Sequence, residues 1–117
     1  MARIRYIPER GDFVWLDLDP QTGHEQAGHR PALVLSPRAF NGMSGLCVIC
    51  PATSKPKGYA FEVPNPAAPD PKTVVLSEHV RCVDWRARKA QYINRVPDDV
   101  LLKVIARLEA LIIRPSG

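Results

Sequence analysis

Hydrophobic and polar residues alternate in short runs along most of the chain, and only near its end does a helical period take over. Over 13–19, Val14, Leu16 and Leu18 fall on one side and Phe13, Trp15, Asp17 and Asp19 on the other, the period of two that marks a strand. Further short strands are predicted over 32–35, 46–50, 59–63, 73–76, 80–83 and 91–96. Twelve prolines break the sequence into short pieces and favour strands and turns over long helices. The exception follows Pro97, which suits a first helical turn. Asp98 and Asp99 favour the positive end of the helix dipole, and Arg107 and Arg114 lie toward its negative end. Leu101, Ile105, Leu108 and Ile112 form a stripe with Val100, Val104 and Leu111 beside it, wide enough to pack on a sheet or on a second subunit. Many short strands and one packed helix predict a mainly β fold, a small antiparallel barrel, in a single domain over 1–117. The Pro-rich stretch 65–72 reads as an exposed loop.

Composition narrows the class without naming it. A chain of 117 residues with a 45% hydrophobic share can bury one core but not two domains. Sixteen basic against twelve acidic residues give a formal charge of +4, which favours an acidic or polyanionic partner. No stretch reaches the length of a membrane span, and the basic start, 1–8, has no continuous apolar segment behind it, so a cytoplasmic protein is expected. Three cysteines, an odd number, suit a reducing compartment. Cys47 and Cys50 have C-x-x-C spacing, but on a strand residues three apart point to opposite faces, and with Cys82 alone left to help no metal site is expected. Asp17 and Asp19 share a strand face, yet two carboxylates are too few for a divalent ion, and solvent or arginine partners at a strand end explain them.

The densest chemistry lies at 25–36, EQAGHRPALVLS. Glu25, His29 and Arg30 stand within six residues, just ahead of an apolar strand. A carboxylate can take a proton, an arginine can grip a phosphate oxygen in two-pronged fashion, and a histidine can do either job near neutral pH.

This run, together with 11–20 before it, resembles the start of the MazF/PemK family of toxin endoribonucleases from bacterial toxin–antitoxin systems. The later runs KGYAFEV (57–63) and WRAR (85–88) are similar to that family in the same order. The resemblance implies an SH3-like barrel closed by a C-terminal helix, usually a homodimer. It implies a sequence-specific, metal-independent endoribonuclease for single-stranded RNA, chiefly mRNA, in which the RNA's own 2′-hydroxyl attacks and leaves a 2′,3′-cyclic phosphate and a 5′-hydroxyl. No cofactor is called for. Glu25 takes the role of base by resemblance and Arg30 that of phosphate holder; since a guanidinium keeps its proton, Arg30 stabilises the transition state rather than donating. The leaving 5′-oxygen needs a proton that His29 or a water can supply; alternatively His29 orients Glu25 or pairs with a carbonyl. Thr53 stands where the family carries a threonine, with a hydroxyl for a phosphate oxygen or for local backbone.

Lys55, Lys57 and Tyr59 extend a surface for RNA. Trp85, Arg86, Arg88 and Lys89 combine a plane with cations, as single-stranded nucleic acid requires. Alternation there puts Arg86 and Arg88 opposite Trp85, so Trp85 is read as core and Arg86 as the RNA contact. The resemblance also implies a cognate antitoxin whose flexible acidic tail covers the basic channel, with translation and growth arrest on release. Residues 54–57 depart from the best-known family pattern, so the RNA word does not carry over. The same barrel also resembles non-catalytic toxins that poison a protein such as DNA gyrase; the intact Glu25 and Arg30 argue against that alternative.

Overall fold

The computed structural model describes residues 5–18 and 28–113. In chain order the elements are β1 (Asp12–Leu18), β2 (Gly28–Val34), α1 (Arg38–Ser44), β3 (Leu46–Thr53), β4 (Glu62–Pro64), β5 (Val74–Leu76), a 3-10 turn (Ser77–His79), β6 (Arg81–Asp84), β7 (Gln91–Arg95) and α2 (Asp98–Ile112). The seven strands form one antiparallel path, β4-β5-β3-β2-β1-β7, with β6 added on β3. β3 shares one edge between two neighbours: Leu46 to Ile49 pair with β6, and Ala52 and Thr53 with β5.

Both faces of the sheet are covered. Phe13, Leu33, Cys50, Ala52, Val63 and Val75 face α2, whose Val100 and Val104 complete that core. Val14, Leu16, Ala32, Val34, Cys47, Ile49 and Trp85 form the second core, with Tyr6 and Ile7 packed against it. β1 thus shows the predicted alternation because each of its sides meets a different core, and Cys47 and Cys50 fall into different cores as strand geometry requires. The path's end strands, β4 and β7, share no backbone ladder among the described residues. Side chains draw the ends together instead: Val63 of β4 and Val96 beside β7 meet in the core under α2, and Asn94 Nδ2 donates to the Ala67 carbonyl at 2.9 Å. The expected barrel is therefore a curled sheet whose hydrogen bonding does not close.

Four expectations change. The strand predicted at 32–35 begins at Gly28, so His29 and Arg30 sit on β2 rather than on a loop. The strand predicted at 59–63 begins at Glu62, because a turn closed by Glu62 N–H donating to the Tyr59 carbonyl precedes it. The 65–72 stretch is anchored rather than free: Asn65 is fully buried and Ala68 enters the core. The stripe of α2 is rotated by about one residue, with Val100 and Val104 deepest and Ile112 exposed.

α1 was not legible at all. Its one buried residue is polar, Asn41, which donates to the Pro8 and Ser36 carbonyls (2.8 and 2.9 Å) and accepts from Ser36 Oγ at 2.6 Å. Gly45 ends the helix with φ +75°, the left-handed cap that glycine adopts without strain.

Candidate active site

Direct cross-strand neighbours point to the same face of a sheet. Val74 pairs with Thr53, and Leu16 with Arg30. Ala32 pairs with Pro51, and continuing that register by two residues sets Arg30 across from Thr53. One row across four strands therefore carries Val74, Thr53, Arg30 and Leu16, on the face turned away from α2. Above this row opens a cavity of about 420 Å3 lined by Arg30, Thr53, Lys55, Lys57, Tyr59, Glu62, Leu76, Glu78 and His79. Of the expected site residues, Arg30, Thr53, Lys55, Lys57 and Tyr59 thus meet at one place. Glu25 lies outside the described residues.

Local chemistry explains how each is held. Thr53 ends β3, and its Oγ1 accepts the Lys55 backbone N–H at 3.2 Å, which leaves the hydroxyl proton for an acceptor in the cavity. That bond is the local role weighed for this threonine, and it is compatible with a second partner. Glu62 clamps the loop that carries the lysines, its two oxygens accepting the N–H groups of Lys57 and Gly58 at 3.0 Å each. Gly58 has φ +83°, which lets the chain turn there. The Arg107 guanidinium of α2 fixes the far side by donating Nε–H to the Ala60 carbonyl at 3.0 Å. Its role is thus a tether rather than a neutraliser of the helix C-terminus. Tyr59 is left 60% exposed, a free aromatic plane at the rim.

His29 follows Gly28 on the same strand and so points to the other face from Arg30. Its Nδ1 meets Asp17 Oδ1 at 2.7 Å, and its ring stacks on Trp15 with centroids 4.9 Å apart. It lines a separate, smaller cavity with Trp15, Pro69, Asp70 and Thr73, which Arg30 and Thr53 also line. The Asp17 carboxylate thereby meets an imidazole, while its backbone carbonyl accepts from the Arg88 guanidinium at 3.3 Å; Asp19 lies outside the described residues.

Arg86 is not gathered with the others. Asp84 ends β6, and its Oδ1 accepts the N–H groups of Arg86 and Ala87, so 85–89 is a turn in which strand alternation fails. Trp85 is buried as expected, its indole donating to the Asn41 carbonyl at 2.9 Å. Arg86 does not oppose it but lies over its ring, 4.9 Å from the centroid, in a cleft shared with Arg5, Tyr6 and Lys89. Asp84 pairs with Leu46, and Thr53 lies at the other end of the same strand. Arg88 instead reaches β1, accepting from Asp17 N–H at 2.9 Å. Sequence reasoning assigned no role to Glu62, though it stands in the run 57–63, or to Glu78 and His79, which no motif marks; they arrive because Glu62 pairs with Leu76 and the 3-10 turn follows directly.

The arrangement offers a grip for a phosphate, cations for a strand and an aromatic plane for a base. A family model described as PemK-like, MazF-like toxin of type II toxin–antitoxin system matches residues 9–112. The chain is 43% identical to the endoribonuclease toxin MazF of Escherichia coli (strain K12), over 92% of this chain and 96% of that protein. Among solved structures it is similar to MazF from Deinococcus radiodurans, with TM-score 0.86 and 51% identity over 92% of this chain and 98% of that one. It is also similar to a chain of the MazE–MazF complex from the same organism, with TM-score 0.81 and 51% identity over 92% and 97%.

Proposed function

The chain belongs to the PemK-like, MazF-like toxins of type II toxin–antitoxin systems, and from that premise we propose a metal-independent route by which it cuts single-stranded RNA. It is an endoribonuclease toxin, and its partner is an antitoxin. The 2′-hydroxyl of the substrate attacks the adjacent phosphorus after losing its proton to Glu25. Arg30 and the Thr53 hydroxyl hold the phosphate oxygens as charge builds on them. The P–O5′ bond breaks, leaving a 2′,3′-cyclic phosphate and a 5′-hydroxyl. Lys55 and Lys57 hold neighbouring phosphates, and Tyr59 offers its face to an unpaired base. Arg86 with Lys89 contacts RNA further along. His29, held by Asp17 on the opposite face, positions β2 rather than donating. The observation that carries this reading is the convergence of Arg30 and Thr53 with the two lysines on one cavity.

The antitoxin's flexible acidic tail would lie along these cations. Leu111, Ile112 and Ile113 stand exposed at the end of α2, an apolar surface that supports a homodimer. Release of the toxin then arrests translation and growth from within the cytoplasm.

The test is to incubate a long mixed RNA and its DNA counterpart with the protein and excess EDTA, beside Glu25→Ala and Arg30→Ala. RNA alone should be cut, at a recurring word, with cyclic phosphate ends. Loss of the Arg30 guanidinium should lower kcat by roughly 100- to 1000-fold, as removal of one transition-state donor does. Intact RNA, cut DNA or fully active variants would each overturn the proposal.

A further inference from the structure

We propose that His79 is the general acid of this site, giving its proton to the departing 5′-oxygen. The proposal rests on the endoribonuclease reading above. Three observations lead to it. The imidazole nearest in sequence, His29, is turned to the other face of β2 and committed to Asp17 at 2.7 Å. Arg30 cannot give up a proton, and imidazole is the side chain most often used for such a transfer. Arg30 and Thr53 line two cavities: His29 stands in the smaller, and in the larger, which also holds Lys55 and Lys57, His79 is the one imidazole among the described lining residues, the side chain suited to that transfer.

Its placement is fixed by the fold. Val75 and Val74 pair with Ala52 and Thr53, so β5 runs along the end of β3, and the 3-10 turn Ser77–His79 leaves β5 at the cavity wall. Cys50 Sγ donates to the Ser77 carbonyl at 3.7 Å, tying the turn to β3 below Thr53. His79 is half-buried, between core and cavity. Several charged or titratable groups surround it. Arg30 comes from β2, Lys55, Lys57 and Tyr59 from the loop after β3, Glu62 from β4 and Glu78 from its own turn. Beneath are the Cys50 thiol of β3 and, from α2, Arg107 at the Ala60 carbonyl.

The step balances. Base and nucleophile act on one side: the 2′-oxygen forms its bond to phosphorus as its proton leaves. On the other side, the P–O5′ electron pair goes to the 5′-oxygen, which takes the imidazolium proton and departs as a hydroxyl. Neutral His79 regains a proton from water, and the carboxylic acid of the base returns one.

The experiment compares an ordinary RNA, carrying the cleavage word mapped beforehand, with the same RNA bearing sulfur in place of the bridging 5′-oxygen at the cut. A thiolate leaves without protonation, so it has no need of an acid. His79→Gln and His79→Ala should lose about 100- to 10,000-fold in kcat on the oxygen substrate, the range typical of a lost acid. Both should cut the sulfur substrate within a few-fold of the unaltered protein, and the alkaline limb of the pH–rate profile should vanish with the imidazole. The sulfur-to-oxygen ratio is read within one preparation, so a partly folded variant cancels from it. Arg30→Ala should lose activity on both substrates alike. An unchanged ratio in the His79 variants, whether activity falls or persists, would overturn the proposal while leaving the endoribonuclease reading in place. Failure of the unaltered protein to cut RNA would instead overturn that reading and the proposal with it.

Discussion

Replacing Glu62 by alanine tests whether the loop proposed to bind RNA is held in place by the carboxylate that accepts its backbone N–H groups. Both Glu62 oxygens accept backbone N–H groups of that loop, from Lys57 and Gly58, at 3.0 Å. These are exposed bonds, so water replaces them in part, and each is worth about 1 kcal/mol net. Losing both shifts the balance between ordered and disordered loop by about 2 kcal/mol, or roughly thirtyfold. An opposing effect must be weighed, because removing a negative charge near bound phosphates favours binding. At about 8 Å in water that gain is about 0.5 kcal/mol before salt screens it. Loop order therefore wins. In the proposed reading Lys55 and Lys57 hold phosphates equally in ground and transition states, so the loss falls on KM and leaves kcat nearly alone. Steady-state cleavage of a short labelled RNA at fixed salt should show KM raised about five- to thirtyfold for Glu62→Ala, with kcat within about threefold. Glu62→Gln, which retains one acceptor oxygen, should fall between. An unchanged or lower KM, or a loss confined to kcat, would refute the clamp.

Two further predictions concern stability. Asn41→Ala deprives the Pro8 and Ser36 carbonyls and Ser36 Oγ of a buried partner; at roughly 1–2 kcal/mol for each, urea unfolding should report a loss of about 3–6 kcal/mol, and a loss below about 1 kcal/mol would contradict the role given to that side chain. Burial pushes the Cys47 thiol up to about 12, with the Cys82 thiol adding to it, and likewise Cys50 to about 12, with the Glu78 carboxylate adding. Unfolded thiols ionise above about pH 8.5 while these two stay protonated in the fold. The unfolded state then binds fewer protons, and stability falls as pH rises from there toward 12. Urea midpoints measured across that alkaline range should decline less steeply in Cys47→Ala and Cys50→Ala, and an identical slope would remove the thiols as the cause.

Much of the fold was legible where a residue's pattern reflected two buried faces. β1 alternates because Val14 and Leu16 meet one core and Phe13 another. α1 was invisible for the opposite reason: it buries an asparagine and exposes Phe40 and Met43, so no apolar stripe exists to be read. The early end of the hydrophobic run at 59–61 hides a turn that Glu62 organises through backbone groups, which side-chain periodicity does not register. In the candidate site, Arg30 and Thr53 were named through resemblance and the lysines as cations extending a surface for RNA; the meeting of Arg30 and Thr53 follows from the register of β2 on β3 and β3 on β5. His79 carries no motif and becomes visible only when β5 is laid against β3. Arg86 was displaced from its expected surface because Asp84 caps a turn where alternation assumed a strand.

The opposite projections of His29 and Arg30 have a bearing on how such a chain can change over time. Insertions that lengthen the connection between β1 and β2 leave β2 in phase with its neighbours. An insertion of a single residue within β2 would exchange the two sides of everything beyond it, sending the guanidinium toward Trp15 and the imidazole toward Thr53. A two-residue insertion would restore the sidedness, though not the pairing. Length variation among descendants of this chain is therefore expected to accumulate ahead of Gly28 and to stop there, parity acting as a constraint independent of which amino acids are present.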